Sequence, residues 1–295
     1  MNHHYIPQFY LRPWLGVDHK LQEFRRGYRD RIEMGRYGTK VTGCAEDLYT
    51  LPGVTEETKQ NVERFFMSFV DDAAVKARDQ MLQGRLPVDP EIRHSWARFL
   101  ISLVFRNPEE VLKFKTSHRQ NLLAPDPEFQ RRYEAHRQEG DPALFEDWMV
   151  QTDPTYLERE SVLMLTRLME NAKVLRLIRG MHWRIVDTST VSRRLMTSDR
   201  PVVMTNGFGR YDGHIGIPIS PTKLFIAFSF NGYAEAFCKQ PIGKIVRLVN
   251  QAAIGQGRKY VYALDGTAIA QVRREMGRRE PPSFVQDFIR LPKAI

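Results

Sequence analysis

Two histidines stand side by side in the opening run His3-His4-Tyr5-Ile6-Pro7-Gln8-Phe9-Tyr10-Leu11 of a 295-residue chain. An imidazole titrates near pH 6.5, about the only side chain to do so, and one held in a packed segment can give and take a proton. Neighbours on an extended segment face opposite ways, which argues against both rings binding one metal. One catalytic and one structural ring are expected; the alternative is a pair of structural, hydrogen-bonded rings. Tyr5, Phe9, Tyr10 and Trp14 follow closely, and so aromatic an arm is expected to pack into the fold.

A second set of candidates falls on helices. Val62, Phe65, Phe66, Phe69, Ala73, Ala77 and Met81 recur at spacings of three and four. They predict a helix that starts at Thr55, carries Glu56 and Glu57 in its first turn, and stops at Gly84 and Pro87. At about 100° per residue, Asp72 falls about 20° from Phe65 and so inside the apolar stripe, whereas Asp71 falls off it. A carboxylate on an apolar face needs a partner or a water-filled site. A second helix, from about Pro90 to Arg106, places Trp96, Phe99, Leu100, Leu103 and Val104 on one face and Arg106 at its edge. An Asp72–Arg106 contact is expected, either as a structural buried ion pair or as the lining of a polar cleft for an anion or a metal. The third set is the turn Thr197-Ser198-Asp199-Arg200-Pro201 between two strand-like runs. There Asp199 can bind metal, orient a histidine or fix Arg200 on a phosphate; the alternative is a turn whose Ser and Asp satisfy nearby amides.

The elements that must position these groups form one domain, 1–295, with three sub-regions. Residues 1–50 read as an arm and a hairpin, punctuated by Gly27, Gly35, Gly38 and Gly43. Residues 55–180 read as a helical bundle, with Asn107-Pro108 interrupting it and a long last helix from Tyr156 to Ile178. Residues 181–295 alternate with period two, as a mixed or antiparallel sheet with flanking helices, the last of them polar with Arg273-Arg274 and Arg278-Arg279. The whole is α+β.

The opening motif closely resembles that of domain-of-unknown-function family 4238. The run from Phe99 to Pro108 is similar to the family's helix ending in Arg-x-Pro, and Met196–Val202 to its segment after a Trp-containing strand, Trp183 here. An acidic residue of the family's first long helix falls at Asp71 or Asp72, where the family usually has Glu. The resemblance supplies no activity. It implies that His3, His4, Asp72, Arg106, Ser198 and Asp199 converge if the family is catalytic, with Gln8 and Arg200 on the substrate and His4, Asp72 and Asp199 as candidate ligands for a divalent metal ion.

Convergent His, Asp and Arg suit phosphodiester hydrolysis, with a proton moved by histidine or metal-bound water and Arg106 stabilising the developing charge. The formal charge is +9. It divides unevenly: net +4 over residues 1–45, −5 over 46–150 and +10 over 151–295. Nucleic acid or another polyanion is therefore the expected partner, and a basic cleft is expected where the arm meets the C-terminal half. The leading expectation is a nuclease-like hydrolase of RNA or DNA, as a toxin or defence effector. The alternatives are a non-catalytic nucleic-acid-binding or regulatory module and a protein-interaction subunit of a bacterial system. Dinucleotide, P-loop, HExxH and GxSxG signatures are absent. Two distant cysteines, Cys44 and Cys238, the lack of a secretory signal and the lack of an apolar run of about 18 residues lead to an expected cytoplasmic, non-membrane protein.

Overall fold

The computed structural model describes residues 2–205, 207 and 209–280. Its first strand, β1 (Asn2–His4), pairs antiparallel with residues 44–46, His3 lying opposite Ala45 and His4 opposite Cys44. The arm continues through α1 (Gln8–Leu11) and a 3-10 turn (Arg12–Trp14). It then enters the hairpin β2 (Leu21–Arg26) and β3 (Ile32–Tyr37), and β4 spans Cys44–Glu46. Gly43 carries a positive φ of 63°, and its carbonyl accepts the Ile6 N–H at 3.0 Å. A Cβ at that glycine would lie 2.9 Å from the Ile6 Cβ, so the close approach of arm and loop requires glycine.

A π-helix over Val62–Met67 runs into α2 (Ser68–Leu82). Helix α3 (Pro90–Phe105) starts where the Asp89 carboxylate accepts the Glu91 N–H at 2.8 Å, with proline in its first turn. Arg106 ends α3, and the Asn107 side chain caps α4 (Pro108–Leu122) by accepting the Glu109 N–H at 3.0 Å. Two short helices follow, α5 (Pro127–Glu134) and α6 (Phe145–Thr152). The long helix predicted from Tyr156 is in fact two, α7 (Tyr156–Met169) and α8 (Ala172–Gly180). Asn171 divides them, its side chain accepting the Val174 N–H at 3.1 Å and so starting a new helix.

The strands that follow are β5 (His182–Asp187), β6 (Thr197–Ser198), β7 (Val203–Thr205), β8 (His214–Ser220) and β9 (Lys223–Phe228). They lead to α9 (Asn231–Cys238), α10 (Ile242–Gln256), β10 (Tyr260–Ala263) and α11 (Ile269–Glu275). The predicted last polar helix thus holds Arg273 and Arg274 but ends before Arg278 and Arg279. One antiparallel sheet has the order β5-β9-β8-β7 and another β3-β2-β10-β6. The second joins the N-terminal hairpin to the C-terminal strand, a pairing that no local pattern announces.

The fold is mixed α+β, with three antiparallel sheets among the described residues. A single buried apolar cluster takes Ile6 and Trp14 from the arm, Phe99 and Leu103 from α3, and Trp183 and Phe225 from the sheet. Trp96 and Trp183 both meet the Phe225 ring edge-on, at 5.6 and 5.0 Å. The Tyr10 hydroxyl donates to the Pro218 carbonyl at 2.8 Å and the Trp14 indole N–H to the Leu195 carbonyl at 3.1 Å, so the arm is tied to the C-terminal half. No helix among the described residues is long and apolar enough to cross a membrane.

Candidate functional site

Helix α2 buries Ala77 and Met81 of the predicted stripe, but Val70 and Ala74 take the places expected of Phe69 and Ala73. Its buried residues are Val70, Ala74, Ala77 and Met81, while Phe69 is 58% exposed. The π-helix is the reason: with i→i+5 bonding each residue advances by less than 100°, so a count carried across Val62–Met67 lands on the wrong face. Asp72 is exposed, and Asp71 makes the contact expected of it. Arg106 Nη1 donates to both Asp71 carboxylate oxygens, at 2.9 and 3.2 Å, and Nη2 to Ser102 Oγ at 2.5 Å. The Arg106 side chain is fully buried.

Glu63 completes this cluster from within the π-helix. Burial pushes its carboxyl up to about 7; Arg106 lowers it, the like charge of Asp71 raises it, and a hydrogen bond from the His4 backbone lowers it. Burial likewise pushes Asp71 up to about 6 against the pull of Arg106. On the backbone of the same residue, the buried Tyr49 hydroxyl donates to the Arg106 carbonyl at 2.7 Å. The His3 ring stacks on Tyr49 with parallel planes and centroids 5.6 Å apart.

The two histidines face opposite environments, as the strand geometry requires. His3 Nδ1 accepts the Tyr49 N–H at 3.0 Å and Nε2–H donates to Gln60 Oε1 at 2.6 Å. Both nitrogens are therefore engaged in a neutral tautomer, and burial lowers the ring's pKa further. His3 is held as a structural clamp, the hydrogen-bonded alternative for this ring. Burial also lowers His4, opposed by hydrogen bonds from its ring to the backbone of Lys40 and Thr39. Its Nε2 is buried and has no hydrogen-bond partner among the described residues.

The Thr197–Pro201 turn is a bracket. Asp199 Oδ1 accepts the Arg258 N–H at 2.9 Å, and Oδ2 accepts those of Lys259 and Tyr260 at 2.6 and 3.2 Å. Burial pushes its carboxyl up, against those three bonds. Ser198 Oγ accepts the Arg200 N–H at 3.2 Å and donates to the Arg200 carbonyl at 3.1 Å. The Arg200 guanidinium, expected on substrate, instead pairs with Glu109 at 2.6 Å and Glu110 at 3.2 Å. Asn107 Nδ2 donates to the Asp199 carbonyl at 3.1 Å. The turn thus meets the α3–α4 junction that carries Arg106 through the Asp199 carbonyl and the Arg200 guanidinium, while the Asp199 carboxylate is turned to the loop before β10. Gln8 stands half-buried at the start of α1.

The candidate metal ligands do not assemble. Asp72 is exposed, Asp199 is occupied by backbone amides, and among the described residues no three His, Cys, Asp or Glu side chains gather around a common point. Glu63 and Asp71 are close, but a guanidinium lies in the field of both, which repels a cation.

A family described as protein of unknown function, DUF4238, matches residues 2–267. The chain belongs to the DUF4238 family. No curated protein and no solved structure matches it. The cluster of Tyr49, Glu63, Asp71, Ser102 and Arg106 and the Ser198–Arg200 bracket all lie within the DUF4238 segment. Tyr49, Glu63 and Ser102 are the members that sequence reasoning misses, as it misses Gln60, the partner of His3. No local signal points to Glu63: at about 100° per residue it lies about 80° from Asp71, and the intervening π-helix, which residue spacing does not announce, reduces that angle.

Proposed function

We propose that Glu63, Asp71 and Arg106 form the acid–base centre of a phosphodiester hydrolase, a nuclease-like enzyme acting on RNA or DNA in the cytoplasm. One observation carries this reading. Of the eight buried side-chain polar atoms without a hydrogen-bond partner among the described residues, three are His4 Nε2, Glu63 Oε2 and Arg106 Nε. These residues are linked through Glu63, whose carboxylate takes the His4 backbone hydrogen bond and lies in the field of Arg106. Unsatisfied buried groups are costly and call for a reason, of which catalysis is a common one. A carboxyl that titrates near neutrality can take a proton from an attacking water or hydroxyl and return it to a leaving oxygen. Arg106, fixed by Asp71 and Ser102, places a positive charge beside Glu63 that favours the negative charge developing on phosphoryl oxygens. The free thiols Cys44 and Cys238 accord with a reducing compartment.

A non-catalytic nucleic-acid-binding module is the second reading. It is favoured by the engagement of His3 and Asp199 within the protein.

The test is cleavage of labelled RNA and DNA by the pure protein, with and without Mg²⁺, Mn²⁺ and Zn²⁺. Wild type should cleave, and Glu63→Gln should lose about 100-fold or more in rate. Intact nucleic acid under every condition, or cleavage undiminished in Glu63→Gln, overturns the proposal.

A further inference from the structure

Away from the Glu63 cluster, two clefts flank α10 and α11. One, of about 680 Å³, has a floor of Leu224, Ile226, Phe228 and Phe237 and a rim that includes Arg274, Arg278 and Arg279. The other, of about 780 Å³, is lined by Arg193, Arg194, Arg247 and Arg274 among others. They are neighbours, because Gln251, Arg274 and Glu275 line both. Against these arginines the linings offer only Asp265 and Glu275 as acids, and Glu275 already pairs with Arg274 at 2.8 Å. Arg193, Arg247, Arg278 and Arg279 are exposed and make no ion pair among the described residues. A basic cleft was expected between the arm and the C-terminal half; these two lie within the C-terminal half.

An aromatic platform adjoins the apolar end. Tyr211, Phe230 and Tyr233 are 62%, 42% and 45% exposed and pack on one another, with the Tyr211 ring 4.3 Å from Phe230 and 5.6 Å from Tyr233. Phe230 follows Phe228 by two residues, and Tyr233 precedes Phe237 by one turn of α9, so the platform continues from two residues of the cleft floor.

We propose that the paired clefts and the Tyr211–Phe230–Tyr233 platform form a binding track for single-stranded nucleic acid. Unpaired arginines lining adjacent clefts match a phosphate backbone, and exposed aromatic faces match unstacked bases, the combination by which proteins hold single strands. The concavity selects the single strand: reading a duplex calls for a helix or ribbon that projects into a groove. It also disfavours a membrane surface, since the apolar side chains of the floor are recessed and not presented outward. The track shares no residue with the Glu63 cluster, so it stands whether or not that centre cleaves the strand it holds.

The experiment is fluorescence anisotropy with a labelled single-stranded RNA and the same sequence as DNA, in chelator, across a salt series. Wild type should bind with log affinity falling linearly against log salt. Arg247→Ala and Arg278→Ala should each reduce that slope by about one, and Arg247→Lys and Arg278→Lys should restore it. Tyr211→Ala with Tyr233→Ala should weaken binding about tenfold or more at unchanged slope. Absence of binding by wild type at low salt, wild-type affinity and slope in the arginine-to-alanine variants, or a preference for the annealed duplex overturns the proposal. So does binding of phosphatidylserine vesicles without binding of either oligonucleotide. Because cleavage is not read, failure here is distinct from failure of Glu63→Gln to lose activity.

Discussion

Arg106 and Asp71 form a two-point ion pair across α3 and α2, Nη1 lying 2.9 and 3.2 Å from the two carboxylate oxygens. The guanidinium is wholly buried and the carboxylate nearly so, with 19% of its side chain exposed. Removing one partner of such a pair leaves a buried charge uncompensated. Arg106→Met should therefore cost about 3–5 kcal/mol, read from the urea midpoint, and adding Asp71→Leu should recover much of it, because an apolar pair of similar volume is often tolerated. A double variant no more stable than Arg106→Met would show that the two side chains are not coupled.

Glu63 gives the fold an unusual pH dependence. Its carboxyl titrates at about 7 in the folded chain against an ordinary value of 4.5. Between those values the folded state holds a proton that the unfolded state has released, so this group's stabilising contribution is full below about 4.5 and is lost as pH rises toward 7. Asp71 acts in the same sense, between 3.8 and about 6. The slope is at most about 1.4 kcal/mol per pH unit for one group. Urea midpoints at a series of pH values should show wild type losing stability relative to Glu63→Gln through this window; a constant difference would refute it.

His3 should behave as a neutral clamp. Its pKa is lowered by burial, so protonation opposes folding and its contribution is lost as pH falls below the ordinary 6.5. By NMR its ring should remain neutral through pH 6.5 and titrate only below it. His3→Ala leaves the Tyr49 N–H and Gln60 Oε1 without their ring partners and should cost about 1–3 kcal/mol. A His3 ring that titrates at or above its ordinary value would contradict the clamp.

Asp199 should prove to be a loop anchor. Its carboxylate takes three consecutive amides, those of Arg258, Lys259 and Tyr260. Asp199→Ala should destabilise by more than about 2 kcal/mol and speed hydrogen exchange at those amides, with Asp199→Asn intermediate. Unchanged exchange at residues 258–260 would rule out this role.

Much of the architecture was legible because it is local. The apolar period of α3, the Asp89 and Asn107 caps and the alternating strands β8 and β9 each follow from residues within a few positions of one another. The Asn171 break was overlooked because its capping bond competes with a helix pattern that is strong on both sides. The candidate site was legible only in part. Arg106 and the need for an acidic partner on α2 could be read, but the choice of Asp71 over Asp72 could not: the intervening π-helix shifts the angular count, and its wider turns leave no mark in residue spacing.

Composition and period were enough to establish an α+β chain with an aromatic arm and a basic C-terminal half, because propensity, capping and charge are properties of short segments. The roles of the individual polar groups were decided by residues far along the chain. Asp199 meets its amides some sixty residues later, His3 meets Gln60, and Glu63 becomes a near-neutral acid because the arm and Arg106 enclose it. Burial and partnership set whether a carboxylate or an imidazole is reactive or inert, and both arise from which segments pack together in three dimensions.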